Sequence, residues 1–286
     1  MNVDHFFMTG RKHEITGYPC EDYATSGDLH KNYKYAILSD GCSGARSRTD
    51  IGARLWCLAL ERVLLKMPSN SVYFGADFAD ELIAEYVRVR ATPFVNDEYA
   101  SLVALLATNK HAQIWMMGDG GYALHKNNGD ILLVEYIWER NKPFYPFYKT
   151  LQPTDYEILT DGFKGYKNRP VKRVEREYSF SGGAFGAFTN LNVKNEKMDY
   201  LPLEEFENGM SILIDKEKDD VKAISIFTDG LWSVRNKSLN QTLKDVIISP
   251  SEEKDFLKRE MVKVAQQWAK KDVSPHDDFS MGHLIW

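Results

Sequence analysis

The chain has 286 residues, 43% of them hydrophobic, with 36 Lys and Arg against 41 Asp and Glu for a formal charge of −5. That apolar content can offset the entropy of ordering a chain, which argues against disorder, and the acidic balance argues against a nucleic-acid partner, whose phosphates require a surplus of basic residues. No run approaches the roughly 18 uninterrupted apolar residues of a membrane span, and MNVDHFFMTGRKHE lacks the pattern of a secretory leader, so no membrane association is expected. Cys20, Cys42 and Cys57 form no CxxC pair, which disfavours a disulfide framework or a zinc ribbon and makes a reducing cytoplasm the expected setting.

In chain order, residues 33–39 (YKYAILS) are predicted as the first clear strand. Helical spacing follows over 50–67, through Ile51, Leu55, Leu58, Ala59 and Leu64, and over 76–90, through Phe78, Leu82, Ile83, Tyr86 and Val87. Residues 101–108 and 112–117 read as a hairpin. A second hairpin joins 121–125 to 131–138 through KNNGD, where Asn128–Gly129 suits a two-residue turn. From 141 to 210 the prolines are scattered and no linker composition or repeat is seen; this stretch reads as an irregular insertion or flap on one domain spanning 1–286. Its basic residues Lys164, Lys167, Arg169, Lys172, Arg173 and Arg176 read either as a solvated face or as a grip for an acidic phosphoprotein. Residues 211–215 and 223–228 are predicted to pair. Ser249–Pro250–Ser251–Glu252 is a capping box opening a helix with Phe256, Leu257, Met261, Val264 and Trp268 on its apolar face. Residues 280–286 form the last strand. Hairpins imply antiparallel sheets, and grouped strands with separate helices imply an α+β fold.

The chemistry lies in where the carboxylates fall. Asp40 follows YKYAILS and precedes Gly41; Asp119 follows AQIWMMG and precedes Gly120; Asp229 follows AISIFT and precedes Gly230. A single Asp-Gly usually marks only a turn. Its recurrence at strand ends suggests one shared rim, where carboxylates repel unless a cation neutralises them. Hard oxygen ligands favour magnesium or manganese over zinc. Asp161–Gly162 follows a polar flank that makes a poor strand and is set aside. The pairs Glu21–Asp22 and Asp277–Asp278 read either as site residues or as solvated loops. Cys42, in DGCSG, reads as a small residue in a tight turn rather than a nucleophile.

In the order Glu21–Asp22, Asp40–Gly41, Gly118–Asp119, Asp229–Gly230 and Asp277–Asp278, the chain resembles the metal-dependent serine/threonine phosphatases of the protein phosphatase 2C type. ISIFTDGLWSV carries the resemblance most closely, HDDFS resembles the family's terminal motif, and TGRKHEITGYPCEDYA resembles a bacterial branch. The resemblance implies an α-β-β-α sandwich of two antiparallel sheets flanked by helices. It implies two divalent cations, manganese or magnesium, bridged by Asp40. Asp229 and Asp277 would complete the first ion, and the Gly41 carbonyl would ligate the second, with Glu21 contributing directly or through water. Asp22 would orient metal-bound water, and Asp119 with Asp229 would hold a third ion. The implied reaction is attack of a metal-activated water on phosphoserine or phosphothreonine of a phosphoprotein, opposed in the cell by a cognate kinase.

Many relatives place an arginine shortly before the Glu-Asp pair to hold the substrate phosphate. ITGYPCED has none, so Arg11, Arg46 and Arg48 are the candidates here. Cys42 stands where eukaryotic members have a histidine. His13 is then either the replacement general acid or a hydrogen-bonded structural residue. GDGG replaces the commoner Gly-Asp-Ser-Arg in the middle motif. The alternative functions are a catalytically inactive interaction module and a metal-dependent hydrolase of small phosphate esters. No GxxxxGK[ST] pattern is present, which disfavours a P-loop nucleotidase.

Overall fold

A computed structural model describes residues 1–29, 32–42, 49–67, 74, 77–90, 99–157, 170–181, 190–246 and 256–286. The predicted turn at Asp161, the capping box at 249–252 and the basic residues Lys164, Lys167 and Arg169 lie outside these residues, as do Arg46 and Arg48.

Seven strands form one antiparallel sheet, in the order β1 (Asn2–Met8), β14 (Phe279–Ile285), β11 (Val221–Phe227), β6 (Gly120–Lys126), β7 (Ile131–Trp138), β8 (Val171–Ser181) and β9 (Asn190–Leu201). Five form a second antiparallel sheet, in the order β10 (Met210–Asp215), β5 (His111–Met117), β4 (Ala100–Ala107), β3 (Tyr33–Gly41) and β2 (Asp22–Leu29). A two-stranded ribbon joins β12 (Val234–Arg235) to β13 (Ser274–Pro275).

Strand alternation explains how the sheets pack, because successive side chains point to opposite faces. Leu38, Val103, Leu105 and Met116 share one buried core with Tyr122, Leu124, Val134, Ile224, Ile226 and Leu284 of the other sheet. The outer face of the five-stranded sheet is covered by α2 (Thr49–Lys66) and α3 (Phe78–Val89), which meet where Trp56 stacks on Tyr86 at 3.6 Å between ring centres. The buried stripe of α2 runs through Ala53, Trp56, Leu60 and Val63, so Leu58 of the predicted face is exposed instead. Glu85 of α3, 3% exposed, receives Lys66 at 2.5 Å, Arg88 at 3.2 Å and Arg62 at 3.6 Å.

The outer face of the seven-stranded sheet is covered by α4 (Leu239–Val246) and α5 (Phe256–Lys270), through Phe256, Leu257, Met261 and Trp268 against Phe227, Phe279 and Met281. The Asp4 carboxylate of β1 accepts the Leu257 and Lys258 amides at 2.8 and 3.1 Å and so caps α5 from the opposite end of the sequence. Under α5 the Ser225 hydroxyl joins His125 Nε2 at 2.8 Å to His283 Nδ1 at 2.7 Å. Burial holds His283 down to about 4, and burial, with the repulsion a protonated His125 would meet from His283 and Lys222, holds His125 well below the ordinary histidine range. Among the described residues no helix is long and apolar enough to cross a membrane.

The α-β-β-α architecture is the one expected, with three corrections. Residues 211–215 and 223–228 do not pair: β10 joins β5, while β11 lies between β14 and β6 in the other sheet. Two apolar runs separated by KEKDD suit a corner between sheets as well as a hairpin, and periodicity does not distinguish them. Second, the 141–210 stretch is not irregular throughout, since β8 and β9 form a long antiparallel pair extending the sheet. Their register sets Arg173 opposite Asp199, Glu175 opposite Lys197 and Arg176 opposite Glu196, so cross-strand charge specifies a pairing that hydrophobic alternation does not. Third, two strands precede the predicted first one, and Asp22 opens the second of them rather than standing in a loop before it.

Candidate metal centre

The register of both sheets brings the Asp-Gly turns to one rim. Asp22 at the start of β2 pairs with Asp40 at the end of β3, and Asp40 pairs with Ser101 at the start of β4. In the other sheet Phe227, which precedes Thr228–Asp229, lies between Gly121 and Met281. Directly paired residues share a face, so Asp22 and Asp40 both point between the sheets. The Thr228 hydroxyl of the opposite sheet donates to Asp22 Oδ2 at 2.8 Å and ties the two layers together here.

The turn carrying Asp119 depends on its glycines. Gly118 and Gly120 have φ of +106° and +132°. A Cβ on Gly118 would lie 2.3 Å from the Ser101 Cβ, and one on Gly120 would lie 2.7 Å from the Phe227 carbonyl oxygen. Only glycine meets both the conformation and the space.

A cavity of about 300 Å³ opens at this rim. Asp40, Asp119, Asp229 and Asp277 line it with Gly41 and Cys42, and Lys12, Asn141 and Tyr145 complete the described wall. Four carboxylates thus face one lysine. Burial, then repulsion from Asp22, Asp229 and Asp119, raises Asp40 well above the ordinary carboxylate range. Burial and the Asp229 charge push Asp119 up to about 7, against a stabilising hydrogen bond from Ser101. Asp229 is raised by burial and by Asp277, opposed by a hydrogen bond with Asp40. Asp22 is raised by burial and by the Asp278 and Asp229 charges, opposed by hydrogen bonds with Asp40 and Thr228. A rim of this kind costs stability until protons or cations neutralise it. Among the described residues, no group of His, Cys, Asp and Glu is gathered tightly enough to form a ready-made metal cage.

Glu21 and His13 stand behind this wall. Asp278 Oδ2 accepts from His13 Nδ1 at 2.8 Å and from the Glu21 amide, and Asp278 Oδ1 accepts from the Gly10 amide at 2.6 Å. His13 Nε2 lies 3.4 Å from Glu21 Oε2. Both side chains are buried, and neither lines the cavity. Gly41 donates its amide to the Glu21 carbonyl at 3.2 Å, which joins the two motifs through the backbone. Arg11 turns away from the cavity to pair with exposed Asp272 at 2.5 Å.

The sequence reading did not single out Lys12, Asn141, Tyr145 or Thr228. The only advance signal for Lys12 was its place in a basic doublet. Tyr145 lies in the stretch read as irregular, and its hydroxyl, hydrogen-bonded to Cys42, is raised by burial and the nearby Asp119 charge.

A family model described as protein phosphatase 2C matches residues 9–266. No protein of curated function is similar enough in sequence to match. Among solved structures, the serine/threonine phosphatase Stp1 from Staphylococcus aureus superposes with a TM-score of 0.58 at 12% identity, covering 100% of this chain and 95% of that one. A bacterial serine phosphatase gives 0.57 at 12% identity, covering 100% and 97%. The S. agalactiae serine/threonine phosphatase gives 0.52 at 10% identity, covering 100% and 99%. At these identities the superpositions establish a common fold. The family model, spanning most of the sequence, places the chain in the protein phosphatase 2C family.

Proposed function

We propose that the chain removes phosphate from phosphoserine and phosphothreonine in proteins, using divalent manganese or magnesium held at the acidic rim. The observation that carries this reading is four half-buried carboxylates, Asp40, Asp119, Asp229 and Asp277, facing one lysine across a cavity of about 300 Å³. An all-oxygen donor set with uncompensated negative charge fits a hard divalent cation. Asp40, Asp229, Asp277 and the Gly41 carbonyl are the residues assigned to two such ions, with Asp119 and Asp229 assigned to a third. When bound, the ions supply a water that ionises near neutral pH and neutralise charge on the phosphoryl oxygens.

The chain's own groups have separate tasks. Lys12, the cation lining the described wall, is assigned to the substrate phosphate in place of Arg11, whose partner is Asp272. Asp22, held by Thr228, orients water at the rim. His13 fixes Glu21 and Asp278 from behind, and its burial away from the cavity favours positioning over proton donation to substrate. Serine/threonine kinases would produce the phosphoprotein substrates.

The test is release of phosphate from a phosphothreonine peptide and from a chromogenic aryl phosphate, with manganese and with chelator. Turnover that needs manganese and is lost in Asp229→Asn is expected. Turnover that persists in chelator, or in Asp229→Asn, overturns the assignment.

A further inference from the structure

A second cavity, of about 240 Å³, shares Asp119, Asn141 and Asp229 with the acidic one. Its remaining walls come from the end of β7 and from the turn after β11, chiefly Glu135, Trp138 and Trp232. Trp232 lies against the sheet, since a Cβ on Gly121 would come within 2.8 Å of its Cη2, and its Nε1 is buried without a hydrogen-bond partner. Arg176 is divided between Glu135 at 2.9 Å and Glu196 at 2.7 Å, so these two carboxylates carry one charge more than the guanidinium answers. The hydrolysis assigned to the rim uses neither Glu135 nor Trp232.

These features select a ligand class. Aromatic faces beside carboxylates attract cations, through the ring quadrupole and through charge. A water takes up about 30 Å³ of liquid volume, so the space is far larger than a bare ion needs and suits an organic side chain. The three shared residues put this space next to the phosphate-binding cavity. An extended peptide advances about 3.3 Å per residue, which restricts the occupant to a near neighbour of the phosphorylated residue.

We propose that this cavity receives a lysine or arginine side chain flanking the phosphoserine or phosphothreonine, so that the substrates are phosphoproteins with basic flanks. The proposal rests on the phosphatase reading and adds the substrate class to it.

The experiment uses a set of phosphothreonine peptides with Arg, Lys, Ala or Glu placed in turn at each of the three positions on either side of the phosphorylated residue. With the full chain and manganese, kcat/KM at one position is expected to favour Arg and Lys over Ala by about tenfold, with Glu below Ala. In Glu135→Gln and in Trp232→Leu the Arg-to-Ala ratio falls to within about twofold; the ratio is the readout, so a general loss of rate does not disturb it. Should Trp232→Leu fail to fold, Glu135→Gln decides. The same peptides are followed by fluorescence anisotropy, which needs no turnover. A chain that hydrolyses no phosphate ester loses the phosphatase reading, while tighter binding of basic peptides that Glu135→Gln abolishes still upholds the subsite. No basic preference in either readout, no peptide binding by a chain that lacks turnover, or a preference that Glu135→Gln leaves intact overturns it.

Discussion

Glu85 is almost wholly buried, and Lys66, Arg88 and Arg62 close on it. The Lys66 hydrogen bond, with Arg88 behind it, holds its carboxyl below the ordinary range. At the rim, Asp40, Asp119 and Asp229 stand together opposite Lys12, and burial and repulsion from neighbouring carboxylates drive each of them above that range. The same chemical group is stabilised as an anion at one place and strained as an anion at another. The first arrangement ties α2 to α3 and needs nothing further. The second remains unsatisfied until something positive arrives, and its position at the converging ends of two sheets makes that arrival the functional event.

Three substitutions test this contrast. Asp40→Asn has the largest expected effect: manganese-dependent hydrolysis falls by about a thousandfold or more, because the charge that gathers the cations is lost. Its melting temperature should cross that of the native chain. In chelator the variant melts higher, by about 2–4 °C per kcal/mol of repulsion relieved; with manganese the native chain melts higher, because only it gains binding energy. Thermal melts in the two conditions check this, and an absence of crossing breaks the comparison. Lys12→Ala is expected to raise KM for a phosphopeptide about tenfold, with a smaller change in kcat, as loss of a charge-assisted contact to the phosphate. Steady-state kinetics decide it; an unchanged KM removes Lys12 from the site. Glu85→Gln has the smallest functional consequence: the melting temperature drops while kcat and KM for the chromogenic ester stay as they are. A loss of activity there would show that the two carboxylate groups are coupled.

The three Asp-Gly strand ends were legible because each is a local event: an apolar run, then a turn residue, then glycine. Their recurrence suggested a common rim, and the resemblance supplied the role of each carboxylate there. What the sequence hid was orientation. Arg11 and Lys12 are adjacent bases, but α1 (Arg11–Thr16) turns one toward Asp272 and the other toward the cavity. Asp277 and Asp278 are adjacent acids; Asp277 lines the cavity, while Asp278 is buried behind it and holds His13, Gly10 and Glu21. Adjacent side chains diverge on a helix, as at Arg11 and Lys12, and on an extended chain alike, so a doublet identifies a site without saying which member serves it. The β8–β9 pair was hidden for another reason. Its specificity is written in charges that meet only after the strands align, and no apolar period announces it.

The His125–Ser225–His283 chain beneath α5 gives the protein an acid limit remote from the rim. Both imidazoles are neutral in the fold. An unfolded chain begins to protonate them below about 6.5, whereas folded His283 resists until about 4. Folding stability is therefore complete above about 6.5 and is withdrawn as the pH falls toward about 4, at about 1.4 kcal/mol per pH unit for His283. Denaturant midpoints measured across that interval should decline in the native chain and decline less in His283→Gln; equal slopes would refute the assignment. Acid would then loosen the helix-covered back of the seven-stranded sheet through a mechanism independent of any cation at the front.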